Sequence, residues 1–130
     1  MSAITIDLID WLQTLMRAER AGARVMLDSL RQTDEPAVRR RLEHLHQGEA
    51  ESCRRLRTCL ERLGAQPDSG IGDFHASAMA IDDLALRFDF IGRGQRWVAR
   101  QIRQRLPEIE APWLREELLV VLRLHEEGEA

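Results

Sequence analysis

Four stretches of this 130-residue chain repeat apolar side chains at alternating spacings of three and four, and a polar residue breaks each repeat. The first gives Leu8, Leu12, Leu15, Glu19, Gly22 and Met26, and the second gives Val38, Leu42, Leu45, Glu49, Ser52, Leu56, Cys59 and Leu63. The third gives Leu84, Phe88, Ile91, Gln95, Val98 and Ile102, and the fourth Leu114, Leu118, Val121 and His125. Such spacing puts one apolar stripe along an α-helix, the seam by which helices of a bundle pack. No segment reads convincingly as a strand, so the expected fold class is all-α.

The expected helix boundaries follow from local chemistry. Helix one runs from about Thr5 to Gln32. Helix two starts at Glu35-Pro36, where Asp34 is a candidate cap and proline suits the first turn, and stops at Leu63-Gly64. Helix three is expected from Phe74 or His75 to Leu106, ended by Pro107, and helix four from Pro112 almost to the chain end. The links "TDEP" and "PEIEA" are short and make antiparallel pairs. The middle link, "GAQPDSGIGDF", spans roughly 36 Å when extended, enough to cross the length of a bundle. The whole chain, 1–130, therefore reads as one domain: two helical pairs joined by a crossover.

The polar interruptions fall at matching heights. Glu19 and Glu49 lie about 13 and 14 residues from the first turn, and Gln95 and His125 about 11 and 13 from the second, so each pair is level within one helical turn. Glutamate is rarely buried without a partner or metal, and two facing carboxylates repel unless a cation or proton intervenes. Arg93, set between Gly92 and Gly94, is the expected internal cation. Gly22, Gly48, Gly92 and Gly94 flank the layer, which suits either close helix packing or room for a ligand.

Composition narrows the functional classes. The net charge is -3, giving no electrostatic case for nucleic acid. All 19 basic residues are arginine and tyrosine is absent, which excludes Schiff-base lysine and phenol chemistry. Cys53 and Cys59 are about 9 Å apart along one helix, too far to bridge. No apolar run reaches transmembrane length and no secretory signal pattern opens the chain, so no membrane association and a cytoplasmic location are expected. Trp11 lies off the seam and marks a candidate homodimer surface.

The strings "AERAGARV", "GEAESC", "LGAQPDSGIGDF", "GRGQRWVARQIRQRLP" and "LRLHEE" resemble the ferritin-like superfamily, and more closely a small bacterial ferritin-like family of unknown function. The resemblance implies a four-helix bundle with a degenerate di-iron site. Metal-binding members carry Glu on one helix of each pair and Glu-x-x-His on the other. Mapped onto this chain, the first glutamate falls on Glu19. The first Glu-x-x-His falls on Glu49 through Ser52, with serine at the histidine position. The glutamate of helix three falls on Gln95. The last motif falls on Leu122 through His125, keeping only the histidine. Glu19, Glu49 and His125 remain of six ligands, too few carboxylates for two irons.

Two readings follow. In the leading one the layer of Glu19, Glu49, Ser52, Arg93, Gln95 and His125 is a relic held by internal hydrogen bonds, and the protein is a non-catalytic binding or scaffold module without a cofactor. In the alternative, Glu19, Glu49 and His125, with Gln95 as a neutral fourth group, bind one Fe, Mn or Zn ion for redox or metal handling. A small polar ligand in the core is a further candidate, and Glu51 and Cys53 are reserve ligands.

Overall fold

The computed structural model describes residues 2–128. It is all-helical: α1 (Ala3–Leu30), α2 (Pro36–Arg62), α3 (Phe74–Met79), α4 (Leu84–Arg105), a 3-10 turn at Leu106–Glu108, and α5 (Pro112–Gly128). None of these helices is long and apolar enough to cross a membrane.

The third expected helix is two helices. α3 ends at Met79, and α4 begins only at Leu84 after Asp83, whose side chain accepts from the Leu86 amide at 3.0 Å. A carboxylate that satisfies an orphan amide is a start signal, and it favours a fresh helix over continuation. The start of α1 also moves, to Ala3, because the Ser2 hydroxyl accepts from the Thr5 amide. The α2 cap is Glu35 and makes no side-chain hydrogen bond, so Asp34 has no capping role. α2 stops as expected, with Gly64 at φ +86°, a conformation that suits glycine.

Three of the helix starts use the same arginine device. Arg39, Arg87 and Arg115 each stand three residues into a helix and reach back to carbonyls nine and six residues earlier. Arg39 thus holds Leu30 and Thr33 at the end of α1, and Arg115 holds Leu106 and Ile109 at the end of α4. Arg87 is 1% exposed. Its guanidinium donates to Ala78 and Ile81 and also to Ser29 Oγ (3.0 Å) and Gln32 Oε1 (2.6 Å) of α1. Helix ends leave carbonyls without partners, and a planar five-donor fork satisfies several at once.

Long-range contacts fix how the helices run. Asp68, on the crossover, pairs with Arg17 and Arg20 of α1, and farther along His75 meets Asp28 at 2.7 Å. Gln13 bonds the backbone of Gln66 and Asp68. The crossover therefore travels about 22 Å along α1. At one end of α4, Arg105 pairs with Asp7; at the other, Arg87 reaches Ser29, so α4 is antiparallel to α1. α5 packs on α2, with Glu117 at Arg55 and His125 beside Glu49, also antiparallel.

The apolar interior falls into two parts. One contains Leu12, Leu15, Leu56, Val98, Ile102 and Leu118; the other contains Val25, Met26, Leu42, Leu45 and Ile91. Trp11 is buried in the first part, with Arg105 over its ring, so it does not mark an exposed dimer surface. Along α1, α2 and α4, the residue between the two parts is Glu19, Glu49 or Gln95.

Candidate metal centre

The layer between the two cores is assembled from four helices. Glu19, Glu49, Ser52, Gln95 and His125 are all buried. Ligand atoms from Glu19, Glu49 and His125 lie within 4.8 Å of one another. Each reaches the interior because it occupies a seam position, where an apolar neighbour three or four residues away already faces inward.

Two supports orient the centre. Gln95 Nε2 donates to Glu49 Oε1. His125 Nδ1 lies 2.8 Å from the Val121 carbonyl. A carbonyl only accepts, so Nδ1 carries the proton and Nε2 is the atom turned to the site. Nε2 stands 2.7 Å from Glu19 Oε1. Neither atom has a hydrogen bond of acceptable geometry, nor do Glu19 Oε2, Glu49 Oε2 or Ser52 Oγ. A neutral imidazole nitrogen and a carboxylate oxygen are both acceptors, so this approach requires a proton or a cation between them.

Burial sets the electrostatics. It pushes the Glu19 carboxyl up to about 7, with Glu49 and Ser52 offsetting part of the rise. Burial raises Glu49 well above the ordinary carboxyl range too, and Glu19 beside it adds to this, against the pull of His125 and Gln95. The layer thus stores acceptors at the cost of holding protons.

The structure does not bring Arg93 into the layer. Its side chain is exposed and lies over the Phe90 ring, with the guanidinium carbon 5.4 Å from the centroid. The reason is angular: Arg93 is two residues from Gln95, so it points roughly 200° away around the helix. The expected internal cation is therefore missing, and the deeply buried arginine, Arg87, is spent on helix ends. Glu51 also points away, paired with Arg54 and Arg55. Cys53 is half-buried and its thiol is pushed up to about 12 by burial, which suits neither reserve role.

Residues 7–129 match the family described as Domain of unknown function (DUF6306). The chain belongs to that family. No curated protein and no solved structure is significantly similar to it. For this DUF6306 domain the chemistry of the layer is therefore the guide to function.

Gly22 has a role that spacing alone did not reveal. A Cβ built there would stand 2.7 Å from Glu49 Oε1 and 2.8 Å from its carboxyl carbon. The glycine is the seat of the Glu49 carboxylate. The only sequence signal is its place three residues after Glu19 in the same seam. Gly94 serves packing: its Cβ would meet the Phe74 ring at 2.8 Å, and Phe74 stacks on Phe90 with centroids 5.0 Å apart. Gly48 faces open space beside a cavity of about 180 Å³ that reaches Glu49 and His125 from the α2–α5 side.

Proposed function

We propose that this chain is a ferritin-like four-helix bundle whose core layer binds one divalent ion through Glu19, Glu49 and His125. Support for the bundle comes from the crossover along α1 and the antiparallel packing of α1 with α4 and α2 with α5. The single observation carrying the metal reading is the convergence of three buried side chains, Glu19, Glu49 and His125, whose ligand atoms lie within 4.8 Å of one another, with unpartnered carboxylate oxygens and His125 Nε2 among them.

The donor set fits such an ion. Two carboxylates balance a divalent charge, and one imidazole adds a borderline ligand suited to Zn²⁺, Fe²⁺ or Mn²⁺. The Val121 carbonyl holds the imidazole in the ligating tautomer, and Gln95 fixes the Glu49 carboxylate, as outer partners of metal ligands do. An ion there supplies a Lewis-acidic centre, redox-active when it is iron or manganese. The two apolar cores flank the layer above and below, and cavities reach it from the α1–α4 and α2–α5 sides.

A second reading keeps the layer metal-free in a binding or scaffold module. The elevated carboxyls of Glu19 and Glu49 favour it, because protons alone then reconcile the acceptors. Protein purified without chelator, analysed for metal and then titrated with Fe²⁺, Mn²⁺ and Zn²⁺, separates the two. The metal reading expects one ion per chain, lost in Glu19→Ala and Glu49→Ala. Failure to take up any of the three ions sinks it.

A further inference from the structure

We propose that the larger cavity beside the layer binds a small organic anion with an apolar body, its acidic group held at the mouth by Arg93 and Arg100. This cavity lies between α1, the crossover and α4 and measures about 620 Å³, the size of an ordinary small-molecule site. Glu19 and Glu49 form its polar side, with unpartnered oxygens in buried side chains. Its walls are apolar, from Met26, Ile91, Val98 and the Phe74–Phe90 stack.

The charge at the mouth decides the ligand class. Arg93 and Arg100 are exposed and seven residues apart, which puts them on one side of α4 about 10 Å from each other. Among the described residues, neither forms an ion pair with a carboxylate. Arg17 also lines the cavity from α1, but Asp68 already holds it. Asp73 lines the cavity as well, from the crossover side, while Arg93 lies over the Phe90 ring of the cavity wall and Arg100 stands a helical two-turn step away. Guanidinium groups not neutralised by a carboxylate beside an apolar chamber match a carboxylate or phosphate carried on a hydrocarbon or aromatic body. A hydrocarbon body directed inward from that mouth lies against Met26, Ile91, Val98 and the Phe74–Phe90 stack.

The cavity is also a built feature. Gly94 admits the Phe74 ring against α4, and the His75–Asp28 and Asp68–Arg17 contacts fix the crossover as a wall. The inference does not depend on a metal in the layer, so it is tested on chelator-treated protein.

Decanoate is the probe, compared by calorimetric titration with 1-decanol and decyltrimethylammonium. The expected result is one decanoate per chain, bound at least tenfold tighter than either comparator. Arg93→Gln combined with Arg100→Gln is expected to erase that tenfold preference while leaving helical content and metal uptake unchanged. Ala18→Phe, which narrows the chamber, is expected to abolish binding. Should that variant not fold, the two exposed arginines decide the matter. Decanoate that binds no tighter than decanol, a preference for the cationic probe, or indifference to the arginine pair overturns the inference. Because every decanoate titration is run without metal, these outcomes leave the metal reading to its own titration.

Discussion

His125 Nε2 faces Glu19 Oε1 across 2.7 Å inside a layer where the imidazole's own proton is directed at the Val121 carbonyl. Whatever lies between those two atoms has to be positive, and that requirement generates most of what can be measured on this protein.

The metal-free protein is expected to lose stability as pH rises. The Glu19 carboxyl sits at about 7 in the folded chain against 4.5 for the ordinary group. A raised folded value means that the fold holds the proton more tightly than the unfolded chain does. Its contribution is fully present below about pH 4.5 and is lost as pH rises through about 7. The difference is about 3 kcal/mol for this group alone. Glu19→Gln is expected to flatten the dependence and to raise stability at pH 8. Urea unfolding of chelated protein between pH 5 and 8 reads this directly, and a slope of opposite sign refutes it.

Metal is expected to reverse that penalty. At pH 7.5, adding Zn²⁺ at a hundredfold excess over its dissociation constant stabilises the folded state by about 2.7 kcal/mol. Protons leave the layer as the ion enters, so affinity falls as pH is lowered through 7. His125→Ala is expected to remove the thermal shift while the chelated variant keeps its helical spectrum. An unchanged metal-induced shift in that variant would exclude His125 as a ligand.

Gly22→Ala is expected to damage the layer more than the fold. The added methyl meets the Glu49 carboxylate at 2.7 Å, so that side chain or α1 has to move. Overpacking of this kind costs about 1–3 kcal/mol. Metal uptake is expected to drop tenfold or more, measured by competition with a fluorescent chelator. Gly48→Ala, with nothing within 4 Å of the new atom, is the matched control: it is expected to leave metal uptake unchanged and to stabilise α2 by up to about 1 kcal/mol.

Arg87 is expected to be a stability residue. Arg87→Met strands the Ile81 carbonyl, removes one of two donors to Ala78 and breaks the ties to Ser29 and Gln32, costing about 3 kcal/mol or more. Arg87→Lys is expected to recover little, because an ammonium group lacks the planar fork. Chemical denaturation of both variants checks this, and near-native stability of the lysine variant argues against the fork geometry.

The helices and the layer were legible in the chain because a helix converts spacing into direction. Residues at three and four share a face, so four broken seams identified Glu19, Glu49, Gln95 and His125 as inward-facing before any packing was known. Matching heights brought them to one level for the same reason: rise per residue is constant. Signals for the break before Asp83 and for the arginine device were present as well. "IDDLALR" carries a capping aspartate with arginine four residues later, as "EPAVR" and "APWLR" carry arginine four residues after Glu35 and Ala111. The apolar period runs unbroken across that stretch, so periodicity alone favours one helix where the local cap starts a second.

The sequence by itself determined the all-helical class, the long crossover and which polar residues enter the core, since all three depend on local periodicity and chain length. Only the tertiary structure decided that Arg93 lies over Phe90, that Gly22 seats the Glu49 carboxylate, and that Arg87 is the buried cation. Those outcomes depend on azimuth and distance between helices far apart in the chain. One residue of offset rotates a side chain by about 100°, enough to exchange the interior for solvent.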